Sequence, residues 1–151
     1  MTNKSFYSHF EGSSFIKRLG GFIAQNQSTN IKGFTGSSLS FYFSTIINRQ
    51  SKPTLFIFNS KEDSLYFLND IETLNPDKQI FYFPGTTKEP YSDNEPNNYN
   101  LLQRTELIEH LNFSKNKNSI IKTHLRAISE TQVSKNELKK NSIKLKVDQN
   151  I

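Results

Sequence analysis

The chain has 151 residues and no cysteine, and its formal charge of +5 comes from 19 basic and 14 acidic side chains. This length favours one domain with a real core, for which 13 Phe and 6 Tyr supply bulky side chains. The absence of cysteine excludes disulfides and thiolate zinc sites, and no apolar run approaches the ~20 residues that span a bilayer. We therefore expect a cytoplasmic protein with no membrane segment and no signal peptide.

The first 30 residues have the apolar spacing of a weak helix. Ser13 or Ser14 is the predicted cap, and the apolar positions are Phe15, Ile16, Leu19, Phe22 and Ile23. The pair Gly20-Gly21 weakens this helix, because each glycine costs about 1 kcal/mol relative to alanine. We predict that residues 1–30 form a helical segment that packs on an α/β domain comprising residues 31–151.

A glycine-rich loop stands between a predicted strand at 31–34 and a predicted helix at 37–48. In an α/β protein this is the position of a phosphate-binding loop, G-x-x-x-x-G-K-[ST]. Ser38 replaces the second glycine of that motif, and Leu39 replaces the lysine that reaches the β- and γ-phosphates. We therefore expect no bound cofactor at this degenerate loop, whose residues are Gly33, Gly36, Ser37, Ser38, Leu39 and Ser40.

Strands and helices alternate along the remaining chain. The apolar run at 54–58 predicts a strand buried on both faces of a parallel sheet, and the runs at 79–83 and 119–123 predict two further buried strands. Residues 143–147 alternate like a half-exposed or edge strand. Helices are predicted after Asn59 or Ser60, after Asn97 or Asn98, at 124–130 and at 134–140. The prediction is an α/β fold with a mostly parallel sheet flanked by helices. Both the loop at Gly33 and the irregular loop at 84–98 are expected at the carboxyl ends of strands.

Few residues suggest catalytic chemistry. Three histidines lie far apart without metal-ligand spacing, so each is interpreted as hydrogen-bonded or exposed: His9, His110 and His124. The carboxylates of the 84–98 loop are interpreted as solvated rather than paired: Glu89, Asp93 and Glu95. Arg104 is predicted to face outward, and both Arg104 and Arg126 fit surface or scaffold salt bridges. No predicted central strand carries the carboxylate that would hold Mg²⁺, so we expect no ATP hydrolysis by this chain.

Positive charge is concentrated near the end of the chain. Residues 114–151 carry nine basic and three acidic side chains, a surplus of six. We favour a solvated face in a Lys- and Asn-rich composition. The alternative is a surface for an acidic partner or nucleic acid, with candidate residues Lys139, Lys140, Lys144 and Lys146.

Taken together, the motifs resemble the N-terminal domain of the bacterial transcription-repair coupling factors, the Mfd family. The resemblance runs from about Gly33 to Val147 and depends on the order and spacing of five segments. These segments are Lys-Gly-Phe-Thr-Gly-Ser-Ser-Leu at 32–39, Lys-Pro-Thr-Leu-Phe-Ile-Phe at 52–58, Phe-Pro-Gly-Thr-Thr-Lys-Glu-Pro-Tyr-Ser-Asp at 83–93, Arg104, and Ile-Lys-Thr-His-Leu-Arg-Ala-Ile at 121–128. The chain departs from the family pattern at 85–89 and at Ser92-Asp93.

The resemblance implies a fold similar to the first domain of UvrB, with the phosphate-binding loop lost and without the long DNA-gripping hairpin. In that family the whole protein is an ATP-dependent DNA translocase that displaces stalled RNA polymerase and recruits UvrA. Other domains make the polymerase contact and most of the UvrA contact. The expected function is therefore a non-catalytic scaffold domain at the start of a longer chain. The alternative is a residual nucleotide- or nucleic-acid-binding α/β domain.

Overall fold

A computed structural model describes residues 12–49, 51–86, 98–115 and 118–141. Within these ranges the elements are α1 (Ser14–Ala24), α2 (Ser38–Ile47), β1 (Thr54–Phe58), α3 (Lys61–Leu74), β2 (Gln79–Phe83), α4 (Asn98–Phe113), β3 (Ser119–His124), α5 (Leu125–Ser129) and α6 (Lys135–Asn141). The predicted α/β class is confirmed. The predicted strand at 143–147 lies outside the described residues.

The three strands form one parallel sheet in the order β1-β3-β2. Thr54 pairs with Ile120 on one side of β3, and Gln79 pairs with Ser119 on the other. Every residue of the central strand β3 is buried. The prediction of parallel strands is therefore confirmed, and β3 is the strand that the apolar-run argument describes best.

The face of the sheet covered by α2 and α3 holds the main core: Ile47, Phe56, Phe67, Ile71 and Ile120. Each such side chain contributes about 1.5–3 kcal/mol when it is removed from water. Ile80 packs on this core, whereas the neighbouring Phe81 lies with its ring centroid 4.6 Å from that of His110 in α4. Because consecutive strand residues point to opposite faces, α4 covers the other face.

The second face is covered only in part. Leu55 and Ile57 are 53% and 50% exposed, although both belong to the apolar run of β1. The prediction that β1 is buried on both faces is therefore wrong. The reason is that α4 packs against β2, so the described helices cover the outer strand β1 on one side only.

Helix α3 begins and ends as its sequence predicts. The Ser60 hydroxyl accepts a hydrogen bond of 3.1 Å from the Asp63 amide, and two acidic residues occupy the first turn, where the helix dipole favours them. At the other end, the side-chain amide of Asn75 donates to the Ile71 carbonyl and to the Ser44 hydroxyl, both at 2.8 Å. The second bond joins α3 to α2.

Helix α1 packs on α2 through Ile16, Leu19 and Ile46. Residues 31–34, which were predicted as the first strand, are not a strand in the structure. Ile31 packs against this α1–α2 cluster, and the Phe34 ring lies 5.7 Å from that of Tyr42. The apolar side chains of this segment therefore pack against helices, and the segment does not pair with the sheet.

Candidate functional site

The glycine-rich loop has the backbone conformation that its glycines permit. Gly33 and Gly36 have φ angles of 97° and 51°, in the left-handed region that residues with a side chain avoid. The Thr35 amide donates to the Ser38 hydroxyl at 2.9 Å, and α2 begins at Ser38. Since no strand precedes the loop, the predicted strand-to-helix turn at the carboxyl end of the sheet is absent.

The positions that would contact phosphate are directed to the protein itself. Leu39 is partly buried and packs against the main core. Ser40 is buried, and its hydroxyl donates to the Asp70 carboxylate at 3.3 Å. Ser37 is the N-cap of α2 but makes no capping bond with its side chain. The loop therefore starts a helix and contributes an apolar side chain to the core where a lysine would extend.

A buried ion pair lies at the carboxyl ends of β2 and β3. The Arg104 guanidinium lies 2.6 Å from the Glu130 carboxylate and donates to the Pro84 carbonyl at 2.7 Å. Its Cζ atom also lies 4.2 Å from the centroid of the Phe83 ring. Arg104 is only 4% exposed, so the prediction that it faces outward is wrong. Arg104 precedes Leu107 by three residues, which places both on the buried face of α4.

The Glu130 carboxylate receives further hydrogen bonds from the end of β2. It accepts the Thr86 amide at 2.9 and 3.0 Å and the Thr86 hydroxyl at 2.8 Å. Burial lowers the pKa of Arg104, and the adjacent Glu130 opposes that shift. We call Arg104, Glu130 and Thr86 the clamp, because together they join the end of β2, the first half of α4 and the residue after α5.

Gly85 leaves room for the clamp. A Cβ atom at this position would lie 3.0 Å from Glu130 Oε1 and 3.7 Å from His124 Nε2. The Gly85 carbonyl also accepts a hydrogen bond of 2.9 Å from the Asn100 side chain. A side chain at this position would therefore require the Glu130 carboxylate to move by a few tenths of an ångström, which favours glycine.

A second group of polar side chains lies under α3, on the other face of the sheet. Lys122 has no exposed surface; its Nζ atom donates to the Ser64 carbonyl at 3.1 Å and lies 3.9 Å from the centroid of the Tyr82 ring. Burial lowers the pKa of Lys122 to about 8, against the opposing attraction of Glu72. Burial also raises the pKa of Tyr82. We call Lys122, Tyr82 and His124 the buried polar group.

His124 contradicts its predicted environment. It is 7% exposed, and its Nδ1 atom is buried without a hydrogen-bond partner. Burial lowers the pKa of His124, and Lys61 adds to the effect. His110 is stacked against Phe81 and likewise has a buried, unpartnered atom, Nε2. One ring nitrogen of each histidine therefore lacks the hydrogen bond that the prediction implies, and His9 lies outside the described residues.

Sequence reasoning missed the buried polar group, although one signal was present. If a strand is covered on both faces, a lysine within it is buried whichever face its side chain lies on. The fully apolar neighbours Ile120 and Ile121 therefore indicated that Lys122 is buried.

The remaining predicted residues are dispersed. Lys139 and Lys140 are exposed on α6, whose predicted capping box is confirmed by bonds between Ser134 and Glu137. Arg126 is exposed on α5. The other candidates lie outside the described residues: Lys144, Lys146, Glu89, Asp93 and Glu95.

The described parts of the chain contain no group of three His, Asp or Glu side chains that could hold a metal ion. None of their helices is both long enough and apolar enough to cross a membrane. No protein-family model matches the chain, and searches of curated proteins and of solved structures found no similar protein. A functional assignment therefore depends on the residues and their contacts.

Proposed function

We propose that this chain is a non-catalytic scaffold domain of a transcription-repair coupling factor of the Mfd type. Its UvrB-like fold has lost the ability to bind a nucleotide. In this proposal the parent protein is an ATP-dependent DNA translocase that releases stalled RNA polymerase and recruits UvrA. The domain described above supports the other domains through its surface and performs no reaction of its own.

The observation that carries the proposal is the convergence of three motifs that are distant in sequence. The resemblance rests in part on the segment starting at Phe83, on Arg104 and on residues 121–128. Arg104 contacts the Phe83 ring and the Pro84 carbonyl and lies 3.5 Å from the Ala127 carbonyl. The Thr123 hydroxyl donates to the Phe83 carbonyl at 2.9 Å. Such a convergence is what a shared fold requires. The contact between Phe83 and Thr123 follows from the pairing of β2 with β3, so the packing of Arg104 is the part that supports the proposal.

The glycine-rich loop supports the non-catalytic part of the proposal. Phosphate binding at such a loop needs backbone amides around the phosphate and a lysine that neutralises its charge. Here Leu39 packs in the core, and Ser38 accepts a bond from the loop's own backbone. Neither residue offers a positive charge to a nucleotide.

Two measurements test the proposal together. Titration of this chain with ATP and Mg²⁺ should detect no binding, whereas the product of its whole reading frame should release stalled RNA polymerase in the presence of ATP. Micromolar binding of ATP to the chain alone would contradict the non-catalytic assignment. A reading frame without helicase motifs after Ile151 would contradict the assignment to a translocase.

A contact with nucleic acid is the second candidate, and α6 is the observation that favours it. This short helix has no buried residue, and its lysines Lys139 and Lys140 are exposed. Duplex binding through them should weaken with salt and should fall further in a Lys139→Gln/Lys140→Gln variant. If no duplex binding is seen even at low salt, this candidate is excluded.

A further inference from the structure

The buried polar group faces the first turn of α3. Side chains alternate along a strand, so Lys122 and His124 share the face on which Ile120 joins the main core. Tyr82 is the register partner of Lys122 on β2 and lies on the same face as Ile80. The carbonyl that Lys122 contacts belongs to Ser64, in the first turn of α3. That turn is therefore the element that closes over the amine.

The charge of a Lys122 ammonium has little compensation at this position. Within the described residues Lys122 forms no ion pair, and its polar contacts are a backbone carbonyl and the face of the Tyr82 ring. On β1 its register partner is the apolar Phe56. A buried ammonium without a carboxylate partner is less stable than a hydrated ammonium, because water is replaced by a medium of low dielectric constant.

The surroundings of the amine are also incompletely hydrogen-bonded. His124 Nδ1 is buried without a hydrogen-bond partner in the described structure, and leaving such an atom unsatisfied is unfavourable. The first intrahelical bond of α3, from the Ser64 amide to the Ser60 carbonyl, is long at 3.4 Å. Opening this turn would hydrate the Lys122 amine and His124 Nδ1. It would break the long Ser64–Ser60 bond, the Ser60 cap of the Asp63 amide and the bond from the Ser64 hydroxyl to the Lys61 carbonyl.

We propose that the first turn of α3 is a pH-sensitive cover over Lys122, closed when the amine is neutral and loosened when it is protonated. Seven ionisable groups act on Lys122 or its neighbours in the buried polar group: Glu72, Lys61 and Glu62 from α3, Tyr82 from β2, His124 from β3, Arg126 from α5 and Glu130 after α5. Glu72 attracts the ammonium but does not contact it. His124 adds a second buried positive charge at lower pH. Both titrations act in the same direction, toward an open turn as pH falls.

The pH range follows from the two states of the turn. With the turn closed the pKa of Lys122 is about 8, whereas a hydrated lysine has a pKa of about 10.4. Between these values the open state binds more protons than the closed state, so raising the pH closes the turn. Well below pH 8 Lys122 is protonated in both states, and its contribution to opening the turn is then at its maximum.

Amide hydrogen exchange of the α3 residues 64–67 measures this opening directly. After correction for the intrinsic rate, the open fraction should fall more than roughly tenfold between pH 7 and 9.5. The same amides in Lys122→Met should show no such change. Lys52→Met, at an exposed position, is the matched control and should behave as the unsubstituted chain does.

A second measurement covers the case in which Lys122→Met fails to fold. The ¹³Cε resonance of Lys122 in the unsubstituted chain should titrate near pH 8. A titration near the ordinary lysine value of about 10.4 would overturn the proposal. Protection of the α3 amides that stays constant from pH 7 to 9.5, or that changes equally in Lys122→Met, would overturn it as well.

Discussion

Arg104 and Glu130 form a buried ion pair in which the same carboxylate oxygen, Oε2, lies 2.6 Å from the guanidinium and accepts both the amide and the hydroxyl of Thr86. The guanidinium in turn donates to the Pro84 carbonyl. Each charge is therefore hydrogen-bonded as well as paired. This is the condition under which a buried ion pair is tolerated and under which removing one partner is most damaging.

We expect Arg104→Met to destabilise the fold by about 3–5 kcal/mol, because the buried Glu130 carboxylate would lose the guanidinium that neutralises it. The free energy of unfolding from urea titration measures the loss. Arg18→Met, at an exposed position on α1, should change it by less than about 0.5 kcal/mol.

The double variant Arg104→Met/Glu130→Gln separates charge from packing. It should be more stable than Arg104→Met alone, since the glutamine carbonyl can still accept from Thr86 and no buried charge is left without its partner. Equal stabilities of the two variants would mean that the loss comes from packing and not from the unpaired carboxylate.

We expect Lys122→Met to stabilise the chain at pH 7. The pKa of Lys122 is lowered from 10.5 to about 8 in the folded state, so the unfolded state binds more protons between these values and stability rises with pH. At pH 7 both states are protonated, and the folded state bears the full penalty of roughly 3 kcal/mol at most. Methionine removes this penalty with little change in volume.

Urea midpoints measured from pH 6 to 10.5 check this expectation. The unsubstituted chain should gain stability above pH 8 and approach the Lys122→Met variant near pH 10.5. A Lys122→Met variant that is less stable at every pH would show that the bond to the Ser64 carbonyl outweighs the cost of the buried ammonium.

Glycine-to-alanine substitutions should have opposite effects in the loop and in α1. An added Cβ meets no atom within 4 Å at Gly33, Gly36, Gly20 or Gly21, so the backbone conformation alone distinguishes them. Gly33→Ala and Gly36→Ala should each cost about 1–2 kcal/mol because φ is positive. Gly20→Ala and Gly21→Ala, inside α1, should each stabilise by about 0.5–1 kcal/mol. Thermal unfolding of the four variants provides the comparison.

Restoring the motif lysine should not restore nucleotide binding. We expect Leu39→Lys to lose the contact of Leu39 with the main core, at a cost of about 1–3 kcal/mol, and still to bind no ATP with Mg²⁺. The physical reason is that Ser38 remains in place of glycine and that no strand positions the loop. Leu39→Met, which keeps the apolar contact, should cost less than about 1.5 kcal/mol. Calorimetric titration with ATP would reveal any binding by Leu39→Lys.

Local pattern predicted the elements that are defined by long apolar runs or by caps. The strands β2 and β3 and the helix after Ser60 lie where periodicity and capping placed them. The prediction for residues 31–34 is wrong because a short apolar segment has the same sequence pattern whether it pairs with a sheet or packs on helices. The cluster between α1 and α2 determines which of the two occurs, and its residues are too far apart in sequence for a short segment to reveal it.

The contacts of the candidate site were less predictable than the elements. Arg104 was placed outward because charged residues usually are, although its spacing from Leu107 indicated the buried face of α4. Its partner Glu130 lies beyond the rest of α4, β3 and α5, and nothing in the sequence between them marks the pair. Lys122 was passed over because a single polar residue did not interrupt the strand pattern. The partners of buried charges are distant in sequence, so the pairs are identified only from the tertiary structure.

The order β1-β3-β2 also governs when the sheet can form during synthesis. The first two strands to leave the ribosome, β1 and β2, do not pair with each other, and each pairs only with β3. No ladder of backbone hydrogen bonds in the described sheet can therefore assemble until Ser119–His124 has emerged. Until then the nascent chain holds the segments of helices α1 to α4 and two unpaired apolar strands, which exposes apolar strand edges at that stage.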